Sequence, residues 1–276
     1  MRVVMLSAAL LMCLAFAGCA MNEKAPASAP TEMILDCGNG VMIPLTYVPP
    51  GEFTMGSPAD EQDREGDEGP QHRVRITRGF HMGVCEVTQE QYEAVMGENP
   101  SNFKGSDLPV EQVSWADAVE FCKRLSEKCG SAVRLPTEAE WEYACRAGTT
   151  TPFSFGETIY TDQANYDGDF AYGNGRPGED RQKTTPVGSF QANAFGLHDM
   201  HGNVWEWCGD WYDAASYAES PTSDPQGPAA GEFRVIRGGS WSGSPNFCRS
   251  ADRAWLDPSL RYLINGFRVV VPASDE

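Results

Sequence analysis

NAFGLHDMHGNVWEWCGDWY, residues 193–212, places three tryptophans, two histidines and three acidic residues within twenty positions. Indoles at this density serve a core or a ligand groove, since each buries a large flat surface and carries an N–H that needs a partner. Trp205 and Trp207 read as core; Trp241 and Trp255, further along, stand open between core and ligand contact. His198 and His201 form an H-x-x-H pair, a spacing that argues for a transition metal only with a third ligand. The flanking sequence supplies the scaffold for this stretch.

Upstream, RLPTEAEWEYACRAG (134–148) opens a helix: Thr137 and Glu140 form a capping box, and Trp141, Ala144 and Cys145 can face a core. Ser114 with Asp117 opens another, carrying Ala118, Phe121, Cys122 and Leu125 on one side as far as Gly130. Thr88 and Gln91 open a third, with Tyr92 and Val95 on one face and Gly97 to close it. LTYVPPGEFTMGS (45–57) alternates like a strand broken by prolines, and HRVRITRGFHMGVCEVT (72–88) supplies two short strands. FRVIRGGSW (233–241) and NGFRVVV (265–271) read as strands, whereas 148–198 is loop-forming in composition. The pattern is α+β in one domain, residues 34–276, with short elements, much irregular structure and no repeat.

A formal charge of −18 repels phosphate backbones, which excludes nucleic acid as a partner. Part of that charge lies in PADEQDREGDEGPQ (58–71), which reads as a solvated loop or, alternatively, a cation site. At the N-terminus Arg2 precedes an apolar run from Val3 to Ala17, an export signal too short for a membrane span. AFAGC, ending at Cys19, resembles a bacterial lipobox. This implies a signal peptide over 1–18, a lipidated Cys19 that reaches the membrane, and a flexible tether over 19–33. The chain is thus expected to be an exported bacterial lipoprotein on the periplasmic face of the outer membrane or the cell surface. Seven cysteines remain beyond Cys19, an odd number, and no C-x-x-C occurs.

Three blocks, RLPTEAEWEYACRAG, NAFGLHDMHGNVWEWCGDWY and RVIRGGSW…CRSADR…GFRVV, together resemble the sulfatase-modifying-factor family, which includes formylglycine-generating enzyme, on a fold related to C-type lectins. The resemblance spans roughly residues 42–272. It implies an oxidase in which two thiolates hold Cu(I) and convert a cysteine of a secreted sulfatase to formylglycine, because soft thiolates suit Cu(I). It also implies positions: Ser240 and Trp205 match active-site residues, and the first copper cysteine falls at Gly243. Counting forward from Ser240 puts Cys248 on the second ligand; counting back from Gly266 puts it beyond both. Neither alignment gives this loop a second thiolate. The family further implies a Cys145–Cys248 disulfide and a calcium loop with side-chain oxygens from Asp199 and Glu206 and carbonyls from Gly202 and Val204. A second calcium site would use Asn165, the carbonyl of Tyr166 and Asp180. The resulting expectation is an envelope module that binds or scaffolds a peptide or glycan at a cleft near Ser240, Trp241 and Trp255, with calcium and without copper. The alternative is a formylglycine-generating or divergent protein-modifying oxidase that uses Ser240, Trp205 and Cys248.

Overall fold

The computed structural model describes residues 32–273; the signal segment, Cys19 and residues 20–31 of the tether lie outside the described residues. Strands β1 (Glu32–Gly38), β2 (Val41–Val48), β5 (Phe80–Gly83) and β10 (Val270–Pro272) form an antiparallel sheet in the order β1-β2-β5-β10. This brings both ends of the described chain into one sheet. β1 includes Glu32 and Met33, opposite Thr46 and Leu45, two residues that the sequence pattern leaves in the tether. Its alternation buries Leu35 and Cys37, which is what a strand with one wet face requires.

The proline break resolves the 45–57 stretch into β2 and β3 (Gly51–Met55), since Pro49 and Pro50 have no N–H for a ladder. β3 pairs antiparallel with β4 (His72–Ile76). A third sheet runs β8-β7-β6-β9, built from β6 (Trp205–Trp211), β7 (Arg234–Arg237), β8 (Ala254–Leu256) and β9 (Asn265–Gly266), with β9 parallel to β6.

All three expected helices are present: α1 (Gln89–Met96), α2 (Trp115–Cys129) and α3 (Glu138–Arg146). Each has the capping box read from the sequence. Thr88 Oγ1 accepts from Gln91 N at 3.2 Å while Gln91 Oε1 accepts from Thr88 N at 2.9 Å. Each N-cap contributes about 1 kcal/mol by satisfying donors that the helix leaves free. Gly97 and Gly130 close α1 and α2 in the left-handed region, as expected, and Ala147 does so for α3. No helix among the described residues is long and apolar enough to cross a membrane.

Two apolar clusters make up most of the core, one around Tyr92, Phe121 and Phe267, the other around Trp141, Val74 and Val235. The second is braced by buried arginines. Arg237, with no exposed side-chain surface, donates to Glu142 at 2.6 Å; Arg253 grips both oxygens of Glu138 at 2.7 and 2.9 Å. Arg249 reaches Glu61 at 2.7 Å and both oxygens of Glu68 at 2.6 and 2.7 Å. Residues 58–71 are therefore a solvated loop only in part. Glu61 and Glu68 are drawn inside by Arg249, and Asp67 accepts from the Tyr212 hydroxyl at 2.7 Å. Residues 148–198 contain no named helix or strand, and side chains fix their course: Tyr172 donates to Gln62 O at 2.8 Å and Asn165 Nδ2 to Lys183 O at 2.9 Å.

Candidate functional site

The turn before β6 is made of residues whose backbone the sequence permits. Asp199 and Asn203 adopt φ of 58° and 64°, conformations that Asn and Asp tolerate, and Gly202 sits at 117°. A Cβ on Gly202 would lie 2.3 Å from the carbonyl oxygen of Asn165, so only glycine lets the two loops cross. Asp199 Oδ2 accepts from Gly188 N at 2.6 Å, while buried Oδ1 has no hydrogen-bond partner. Glu86, just before α1, stands in the same position: Oε1 accepts from Asn203 Nδ2 at 3.1 Å and Oε2 is buried without a partner.

Burial pushes the pKa of both acids up, and the charge of Asp199 adds to the shift at Glu86. Two buried carboxylate oxygens with no donor, near one another, fit a hard divalent cation that prefers oxygen. Glu86 was not singled out in the sequence, although an acid inside the apolar run GVCEVT was a signal. Glu206 is differently placed. Arg268 takes both its oxygens at 2.7 Å, and Trp141 Nε1 adds a third bond at 2.8 Å, so its carboxylate serves first as the counter-ion of a buried arginine. Gly202 and Val204 are buried in the turn between these acids.

At the second expected calcium position Asn165 is buried, with Oδ1 unpartnered and Nδ2 bonded to Lys183 O and Asn203 Oδ1. The Tyr166 ring lies in a small cluster with Phe153 and Tyr172. Asp180 offers its carboxylate beside those of Asp167 and Asp169, with ligand atoms within 4.8 Å of one another. The structure thus adds Asp167 and Asp169 to Asp180. His198 and His201 do not converge: His198 Nδ1 faces Phe190 O at 2.6 Å, and His201 Nδ1 faces Cys248 O at 2.8 Å.

Ser240 follows Gly238 and Gly239, both at positive φ, and its hydroxyl is buried without a hydrogen-bond partner. Gly243, where the resemblance puts a copper cysteine, is near it: a Cβ there would lie 3.8 Å from Ser240 Oγ and 3.5 Å from the Phe247 ring. The Phe247 ring also sits 6.3 Å from that of Trp205, tilted at 54° to it, and is 36% exposed. Cys248 is the next residue on the same short 3₁₀ turn, roughly 120° around. Its side chain packs inward against the cluster of Phe153, Ile159 and Tyr166. Burial raises its pKa strongly, which keeps it a thiol.

The Cys145–Cys248 disulfide implied by the resemblance is not formed; both cysteines are free. Cys145 Sγ faces Ser250 Oγ at 3.6 Å, Met200 O at 3.7 Å and the His201 ring, and burial pushes its pKa to about 12. His201 stays neutral, its pKa lowered to about 4 by burial between these groups.

The expected cleft of Ser240, Trp241 and Trp255 is split. Trp241 packs edge-on against Phe103 and donates to Leu263 O at 3.2 Å. Trp255 pairs with Val235 at the start of β7, remote from the Ser240 end, and packs at a tilt against Phe233 and Tyr212. Edge strand β8 thus carries it away from the turn that holds Trp241.

This geometry coincides with similarity to known proteins. Residues 42–273 match the model of the sulfatase-modifying factor enzyme 1-like domain. A formylglycine-generating enzyme of Streptomyces coelicolor is 33% identical over 80% of this chain and 87% of its own length. The chaperone protein LppX of Paenibacillus barcinonensis is 32% identical over 69% of this chain and 79% of its own. Among solved structures, PvdO from Pseudomonas aeruginosa superposes with a TM-score of 0.77 at 32% identity, covering 90% of this chain and all of that one. With its capped helices, its Gly-Gly-Ser turn and its arginine-braced sheets, the chain belongs to the sulfatase-modifying factor enzyme 1-like family.

Proposed function

We propose that this protein is an exported, Cys19-anchored binding module on the family scaffold, which engages a peptide or glycan beside Ser240 and does not carry out copper oxidation. The observation that carries the reading is Gly243. A copper(I) centre here needs two thiolates, and position 243 has no side chain while Cys248 is buried, protonated and turned inward. These residues do not fit copper. The surface beside them suits ligand contact: Trp241, Phe247 and Leu263 form a partly exposed apolar face. The named chaperone among the relatives supports a role in handling another polypeptide.

Calcium fits as a structural cofactor. Asp199 and Glu86 would hold it with the turn of Gly202 and Val204 and the neighbouring Glu206, and Asp180 with Asp167 and Asp169, together with Asn165 and the Tyr166 carbonyl, would form a second position. When bound, it supplies positive charge that fixes the loops bordering the Ser240 face.

Retained Ser240 and Trp205, together with the identity to formylglycine-generating enzymes, favour a second reading as a protein-modifying oxidase. Competition for Cu(I) against a chelator, with a cysteine-containing sulfatase peptide incubated in air, separates the two. The binding-module reading expects no tight copper and no aldehyde. Stoichiometric tight copper with aldehyde in the peptide establishes the oxidase instead.

A further inference from the structure

Cys37 and Cys129 stand at the ends of two elements that pack together. In β1, Leu35 and Cys37 point inward, and Cys37 has no exposed surface. On α2 the buried stripe runs through Ala118, Phe121, Cys122 and Leu125, and one further turn along the same face comes Cys129, the last residue of the helix. Both cysteines belong to one apolar cluster, Cys37 within it and half-buried Cys129 packed against it. The ends of the two elements also meet: a Cβ on Gly38 would lie 3.3 Å from Lys128 Nζ. Burial pushes the Cys37 thiol up to about 12, and Asp36, Lys128 and Cys129 are the other groups whose charge reaches it.

Other pairings are worse placed. Cys122 and Cys129 are about 10 Å apart along the axis of α2, whereas bridged Cα atoms lie roughly 4.4–6.8 Å apart. Cys145 and Cys208 pack in the second apolar cluster and Cys248 with Phe153 and Tyr166, while Cys85 lies beside Gly188, near Glu86 and Asp199. The ladder is also loose where Cys37 sits. Asp36 pairs with Met42 and Gly38 with Val41, so Cys37 is the extra residue of a bulge on an edge strand.

We propose that Cys37 and Cys129 form a disulfide, a cross-link that ties edge strand β1 to the C-terminal end of α2. Both are free thiols in this structure. The half-buried Cys129 thiolate attacks one sulfur of an aliphatic disulfide and releases the first thiolate. The Cys37 thiolate, freed as the bulge opens, then attacks Cys129 Sγ and expels the second. Two thiol protons and two electrons pass to the oxidant, which leaves as two thiols. β1 is the first strand after the tether, so on the proposed Cys19 anchor it is the element that a pull from the membrane reaches first. The bond itself forms with any such oxidant and is independent of the anchor and of the Ser240 face, so either proposal can fail without the other.

The purified protein is incubated with oxidised glutathione, its remaining thiols are blocked with N-ethylmaleimide, and it is digested with trypsin without reduction and read by mass spectrometry. Cleavage after Lys24, Arg64, Lys128 and Arg134 leaves Cys37 alone in residues 25–64 and Cys129 alone in 129–134. The expected product is these two fragments joined, with amide exchange in β1 slowed by roughly tenfold or more relative to the reduced protein. Cys129→Ser, at a half-buried position that should leave the melting curve of the reduced protein unchanged, should lose both effects. Maleimide on both cysteines, glutathione retained on Cys129, Cys129 joined to any other cysteine, or the same slowing of β1 exchange in Cys129→Ser overturns the proposal.

Discussion

On the proposed calcium reading, Asp199→Asn should act with opposite signs in the presence and absence of the ion. Asp199 Oδ1 and Glu86 Oε2 are buried without donors, and burial raises both acids above their usual range. Without a cation, these charges oppose folding at neutral pH. Burial raises the pKa of Asp199, so removing its charge should stabilise the chelator-treated protein. With calcium at about a hundred times its Kd, the wild type gains about 2.7 kcal/mol. For a domain of this size that raises the melting temperature by roughly 5–11 °C.

The Asn variant should keep only a small part of that gain. Differential scanning fluorimetry in chelator and in excess calcium reads both quantities. Because the folded-state pKa values are raised, this contribution favours the calcium-free fold at low pH and is lost as pH climbs to the folded values. Calcium favours the charged forms and should remove that acid-side gain. A variant destabilised in chelator yet fully responsive to calcium would refute the reasoning, making Asp199 an ordinary hydrogen-bonded acid.

Three other outcomes are expected. Arg249→Ala leaves Glu61 and Glu68 buried without their cation, a loss of about 3–5 kcal/mol in urea unfolding, and trypsin should then cut at Arg64 in the released loop. Asp210, raised to about 8, contributes stability at acid pH that falls by about 1.4 kcal/mol per pH unit up to about 8 and levels off above. Asp210→Asn should flatten that slope in denaturation curves from pH 5 to 9. Gly243→Cys meets only ordinary contacts and should change stability by less than about 0.5 kcal/mol. Copper competition should still find no tight site in that variant, because Cys248 is turned inward.

What could be read in the sequence was local. Three capping boxes lie within four residues each, so α1, α2 and α3 were visible with their stop signals at Gly97 and Gly130. Strand β6 was not, because WEWCGDW is buried on both faces and does not alternate. β1 was hidden beside a stretch whose small residues resemble a linker. The arginine braces join residues 95 to 188 positions apart, and no spacing rule announces a pair such as Arg249 with Glu61. The same distance hid Glu86, whose connection to Asp199 exists only once α1 has docked near the turn before β6. At the Ser240 face the inward turn of Cys248 and the displacement of Trp255 along β8 depend on backbone direction, which no motif spells out.

The clamp that Arg249 and Arg253 place on the early acidic loop also sets an order of events during synthesis. Glu61 and Glu68 leave the ribosome more than 180 residues before the arginine that neutralises them, and Glu138 leaves 115 residues before Arg253. Until then the loop carries six acidic residues against Arg64 alone. These acids therefore cannot take up their buried places until Arg249 and Arg253 have been made. The acidic loop and the C-terminal segment are thus joined late, by the same arginines that neutralise it.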